Sequence, residues 1–142
     1  IRWLAYGFES VTDPKFVSRT QDVIKLTSSY GISIIANFMF GLPNTTEDDD
    51  RASLEFAKKH LFEFVNLYDA KPYPGSKWYE DTKPQMGWKD YDQYARISSF
   101  RQTAFEEYFT NPAYLSKIQQ KWGNQAVEQI NGMVKWKFSA AR

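Results

Sequence analysis

With 142 residues, 42% of them hydrophobic and 18% aromatic, the chain can fill the core of one ordinary domain or of a piece of a larger one, which excludes a disordered segment. Eighteen Lys and Arg against seventeen Asp and Glu leave a formal charge of +1, interspersed apart from one acidic cluster, so no basic face points to nucleic acid. The absence of cysteine rules out a disulfide framework, a thiolate zinc site, a cysteine nucleophile and a cysteine-ligated cluster within these residues.

The first residue is Ile1, and no basic stretch precedes an apolar one, so the chain is expected to be a piece of a longer polypeptide and not a native start or a signal peptide. Residues 2–7 (RWLAYG) form a short apolar and aromatic run ending in glycine, which predicts a buried strand. Asp13-Pro14 is a helix-start pair, and Ser18-Arg19-Thr20-Gln21 is a second possible start of capping-box type. Either helix ends near Tyr30, with Gly31 placed as a C′ glycine and Val23, Ile24 and Thr27 as its inward stripe. Residues 32–40 (ISIIANFMF) are nearly continuous apolar sequence, as expected of a parallel strand covered on both faces. Interrupted by Ser33 and Asn37, this run falls short of the about 20 residues that a membrane-spanning helix needs, so no span is expected.

From Thr46 a helix begins with Glu47, Asp48, Asp49 and Asp50 and ends with Lys58, Lys59 and His60, so both ends complement the helix macrodipole. Leu54, Ala57 and Leu61 are its inner stripe. Residues 62–70 (FEFVNLYDA) predict a third strand, closed by the turn-rich residues 71–76. After a polar linker over residues 81–87 the pattern is helical to the end, with breaks at Asn111-Pro112 and Gly123. The expected fold is therefore α/β: a partial TIM-type barrel over residues 1–82, with βαβαβ order and three parallel strands, followed by a C-terminal helical extension over residues 83–142. Three strands are too few to close a barrel, and residues 2–7 would be an exposed parallel edge, so the upstream barrel half of the same polypeptide is the expected partner. Ligands of such sheets sit at the carboxyl ends of the strands, here residues 7–10, 40–43 and 69–73.

Three segments at those ends, Gly7-Phe8-Glu9-Ser10, residues 37–43 (NFMFGLP) and Tyr73-Pro74-Gly75-Ser76, resemble in order and spacing the second half of a radical S-adenosylmethionine (radical SAM) barrel. The likeness covers about the first 80 residues. It is strongest to the branch that often carries an N-terminal cobalamin-binding domain and includes anaerobic Mg-protoporphyrin IX monomethyl ester cyclases and several methyltransferases. Residues 101–115 (RQTAFEEYFTNPAYL) also resemble the helical tail of that branch. The resemblance implies an iron-sulfur oxidoreductase or methyltransferase in which a CxxxCxxC loop holds a 4Fe-4S cluster and the open iron binds SAM, with cobalamin as a further cofactor of the branch. That loop lies outside this chain, so neither cofactor is expected to be held by these residues alone. A small-molecule substrate and a cytoplasmic location are implied as well; the Asn44-Thr45-Thr46 sequon is ordinary chance sequence with nothing else pointing to secretion.

Carried over residue by residue, the resemblance makes Glu9, Ser10, Met39, Gly41 and Tyr73 the cofactor-binding candidates. Glu9 and Ser10 offer a carboxylate and a hydroxyl to a ribose or to the amino group of SAM, or else cap the following helix. Met39 corresponds to the apolar residue of the family's GxIxGxxE pattern that packs on adenine, and Gly41 to its second glycine; Met39 as a core residue and Gly41 as a turn are the plainer alternatives. The pattern departs at Asn37, in place of the first glycine, and at Asn44, in place of the glutamate, so no glutamate role transfers. Tyr73 faces substrate or packs on Pro72 and Pro74. No EF-hand spacing accompanies the acidic cluster, and His60, the only histidine, is expected to complement the helix dipole. A non-catalytic module docking a partner through Trp122 and Trp136 is the rival reading. An unrelated phosphate-binding enzyme has no glycine-rich loop to support it.

Overall fold

The computed structural model describes residues 1–8, 11–43, 45–82 and 98–140. Three strands, β1 (Trp3–Gly7), β2 (Ser33–Phe40) and β3 (Phe64–Asp69), form one parallel sheet in the order β1-β2-β3. The register runs from Trp3 opposite Ser33 to Gly7 opposite Asn37, and from Ile35 opposite Phe64 to Phe40 opposite Asp69. Between the strands lie α1 (Pro14–Ser29) and α2 (Glu47–His60), and after them α3 (Lys77–Thr82), α4 (Ser98–Phe109), α5 (Pro112–Trp122) and α6 (Asn124–Ala140).

Local chemistry sets the helix ends. Asp13 is the N-cap of α1, accepting the Lys15 N–H ahead of Pro14, so the first of the two possible starts is used. Thr46 and Asp49 close a reciprocal capping box on α2. Asn111 caps α5 ahead of Pro112, and Gly123 at φ 81° breaks the chain before α6. The short helix α3 was not expected; Ser76 Oγ accepts the Tyr79 N–H at 3.1 Å and starts it, so the expected linker begins within a helix, and its remainder lies outside the described residues. The third strand starts at Phe64 and not at Phe62, because the hydroxyls of Tyr108 and Tyr114 take the Phe62 and Glu63 carbonyls at 2.5 and 3.2 Å.

Both crossover helices lie on the same face of the sheet. Tyr6 of β1 meets Thr27 of α1 at 2.9 Å, and Phe8, on the same side, packs on Phe38 of β2 and on Phe56 of α2. Sequential strands with their helices on one side are the way a barrel wall grows, whereas a doubly wound sheet carries helices on both sides. Leu54 and Ala57 of α2 are buried, as are Ile24 and Thr27 of α1. Val23 is a correction: it stands 43% exposed, because the inward line of α1 runs through Thr20, Ile24 and Thr27 and leaves Val23 over a groove beside the edge strand β1.

The helical tail belongs to the same core. From α4, Phe100 meets Phe40 edge-on, Phe109 packs on Phe64, and Glu107 pairs with Arg51 of α2 at 2.8 Å. Helix α5 then crosses beneath the amino ends of the strands in the order β3, β2, β1. Lys117 reaches the Leu61 carbonyl, Lys121 reaches Ser33 Oγ at 2.9 Å, and Trp122 stacks on Trp3 with ring centroids 5.5 Å apart.

Candidate functional site

Alternation along the strands divides the sheet into two unlike faces. On β2, Ile34, Ala36, Phe38 and Phe40 are at most 1% exposed beneath the helices, while Ile35, Asn37 and Met39 on the other side are half-buried. The register extends that second side into three rows: Ala5, Ile35 and Phe64; then Gly7, Asn37 and Asn66; then Met39 and Tyr68. None of these described side chains carries a charge. The middle row is hydrogen-bonded, Asn66 Nδ2 donating to Asn37 Oδ1 at 2.9 Å and Asn37 Nδ2 to the Tyr6 carbonyl at 3.3 Å. At the amino end of this face a cavity of about 420 Å³ lies between Trp3, Glu63 and Phe64 of the sheet and Trp122, Gln125 and Gln129 of the tail helices.

Met39 therefore sits on the uncovered face near the carboxyl end of β2. Gly41 follows one residue past that end at φ 72°, in the left-handed region that glycine adopts freely. Its N–H is already engaged, donating to both carboxylate oxygens of Asp50 at 3.1 and 3.3 Å, so it is not available as a donor to a ligand. Asp50 is only 3% exposed and Asp49 belongs to the capping box, so these two acids are committed to the turn and the helix start. Tyr73 lies beyond β3 and is 62% exposed, in a turn where its carbonyl accepts from Ser76 N and Oγ. Glu9 and Ser10 lie outside the described residues.

The amino ends of the strands carry the strongest electrostatics. Glu63 precedes β3, buried, with its carboxylate accepting from the Ile34 N–H at 2.8 Å and from Lys117 and Lys121 at 3.0 Å each. Burial pushes its carboxyl up, but the Ile34 N–H and the two ammonium groups outweigh that and hold it below the ordinary carboxylate value. Asp69, at the opposite end of β3, pairs with Arg101 at 3.2 Å through Oδ2 while its Oδ1 is buried without a hydrogen bond among the described residues. Neither Glu63 nor Asp69 was among the candidates, since their partners lie on distant helices.

His60 is a second correction. Its ring packs between Phe56 and Phe62, with centroids 4.4 and 5.6 Å away, and Nε2 is buried without a partner among the described residues. Burial, with help from the Lys59 charge, pushes its pKa down, which disfavours the cation that would complement the helix dipole. In the tail, Trp136 is 71% exposed whereas Trp122 is engaged by Trp3 and by Lys121 Nζ, 5.0 Å from its ring centroid. Among the described residues no helix is long and apolar enough to cross a membrane.

No protein-family model matches the chain. Over 136 residues it is 24% identical to an uncharacterized methyltransferase of Pyrococcus horikoshii, an alignment that takes in 84% of this chain and 30% of the relative. The chain is thus similar to a segment of a methyltransferase and spans under a third of the length of the curated relative it matches.

Proposed function

We propose that this chain is part of a SAM-dependent methyltransferase of radical SAM type, and that the uncharged face of its sheet forms one wall of the pocket for SAM and substrate. The observation that carries it is the singly wound parallel sheet with both crossover helices on one face and, on the other, three uncharged rows that lead to a glycine turn after β2. Likeness to a methyltransferase supports methyl transfer over oxidative ring closure. On this wall Met39 packs on the adenine and Gly41 lets backbone and ligand approach closely, while Tyr73 meets the ribose, the amino acid part or the substrate; Glu9 and Ser10 are proposed for the same role from the sequence alone.

The residues present do not fit as ligands of an iron-sulfur cluster. The chain has no cysteine, and among the described residues no three His, Asp or Glu side chains gather to hold a metal ion. A cluster, and any cobalamin, belongs to other parts of the full-length polypeptide, and these residues contribute shape, apolar contact and hydrogen bonds to bound SAM.

Anaerobic reconstitution of the full-length protein with iron and sulfide, followed by equilibrium dialysis with labelled SAM, tests both levels of this assignment. The expected outcome is saturable SAM binding that requires the cluster. SAM binding with no cluster would leave a methyltransferase of another type, and no SAM binding at all would remove the assignment.

A further inference from the structure

The Asn37 and Asn66 amides are oriented by the backbone. A carbonyl can only accept, so the Asn37 atom facing the Tyr6 carbonyl is Nδ2; its Oδ1 therefore faces Asn66 and accepts from Asn66 Nδ2. This leaves Asn66 Oδ1 as an acceptor, and one N–H on each amide as a donor, without a partner among the described residues. Gly7, in the same row, contributes no side chain. The rows on either side are apolar or aromatic, Ile35 with Phe64 and Met39 with Tyr68. A flat group slid between them meets a donor and an acceptor together. An anion there would find no countercharge, because the described side chains of these three rows are uncharged and the nearby cations Lys117, Lys121 and Arg101 are paired with Glu63 and Asp69.

Resting on the reading of this face as a ligand wall, we propose that the Asn37–Asn66 pair is a specificity element for the substrate, which presents a neutral, planar group bearing both a hydrogen-bond donor and an acceptor, such as a carboxamide or lactam, and not a carboxylate or phosphate.

Nicotinamide and nicotinate share ring and size and differ in charge, so saturation-transfer NMR and calorimetry of both with the full-length protein test the assignment. Nicotinamide is expected to bind about tenfold more tightly than nicotinate, the ratio for one neutral hydrogen bond. Asn66→Leu is expected to abolish that preference. Asn66→Asp, which keeps the shape of the row, is expected to weaken nicotinamide about tenfold without a gain for nicotinate. Equal or tighter nicotinate binding, no binding of either probe, or a preference that survives both substitutions overturns the proposal. Titrating SAM into the unsubstituted protein separates the two levels: an amide preference without SAM binding sinks the methyl-donor assignment alone, and SAM binding without the preference sinks this one alone.

Discussion

Phe38 and Met39 are neighbours on β2, yet one is closed into an aromatic cluster with Phe8 and Phe62 and the other lies half-buried on a face that no crossover helix covers. One strand thus serves two purposes at a period of two residues. The helix side supplies the burial that holds the sheet together, and its substitutions are felt in stability. The other side is made of small, amide, apolar and aromatic groups, and its substitutions should be felt in binding.

The largest expected effect is on the covered side. Phe38→Ala removes a ring that is 1% exposed and stacked on Phe8, so it should cost about 3–5 kcal/mol in urea denaturation. A cost under about 1 kcal/mol would mean that the aromatic cluster collapses around the gap and that the division between the faces is false.

Glu63→Ala comes next, and it tests the amino ends of the strands, where neither face ends and the tail is tied down. It leaves two lysines and the Ile34 N–H without their acceptor; both lysines reach solvent, so the cost should sit at the lower end of the range for a broken buried pair, about 3 kcal/mol. The folded-state pKa of Glu63 is depressed, so its contribution is present above the unfolded value near 4.5 and is lost as pH falls through the lower folded value. The urea midpoint should therefore drop as pH falls below about 4.5, and the drop should be shallower in Glu63→Gln. Equal slopes in the two proteins would remove the carboxylate from the clamp.

Tyr108→Phe keeps the ring packed on Tyr114 and removes only the hydroxyl that donates to the Phe62 carbonyl at 2.5 Å. Leaving that buried carbonyl unpaired should cost about 1–3 kcal/mol by thermal or urea melting. A neutral outcome would show that water replaces the hydroxyl and that the tail is held mainly by Glu63.

The three strands and the starts of α1, α2 and α5 were largely legible because their signals are local: Asp13-Pro14, Thr46 ahead of its acids, and Asn111-Pro112. The second possible start of α1, the early start given to β3 and the missed α3 show where local signals are not enough. The two faces were not legible. In ISIIANFMF nearly every residue is apolar, so the alternation is one of environment and not of polarity, and Asn66 joins Asn37 only through a register that no local pattern specifies. Glu63 likewise finds Lys117 and Lys121 more than fifty positions away, although the i,i+4 spacing of those lysines on α5 marked a face with a common target. Asp50 was read as one more acid at a positive helix end, whereas its carboxylate holds the Gly41 turn. His60 and Val23 were misplaced because aromatic neighbours in one case, and the edge of the sheet in the other, override what position on a helix implies.

The smallest stability effect, and the sharpest contrast with Phe38, belongs to Met39. Its side chain is half-buried on the face away from the crossover helices, so truncation removes roughly half of the about 1.5–3 kcal/mol that full burial supplies. Met39→Ala in the 142-residue chain should therefore cost about 1 kcal/mol, at least about 2 kcal/mol less than Phe38→Ala in the same urea series. If Met39 packs on the adenine of SAM, the same substitution in the full-length protein should weaken SAM several-fold, because its apolar contact with the ligand is lost. The two measurements decide between its roles. A cost equal to that of Phe38→Ala with unchanged SAM affinity would make Met39 a core residue and would place the ligand wall elsewhere, whereas a mild melt with weakened SAM puts this face of β2 against the ligand.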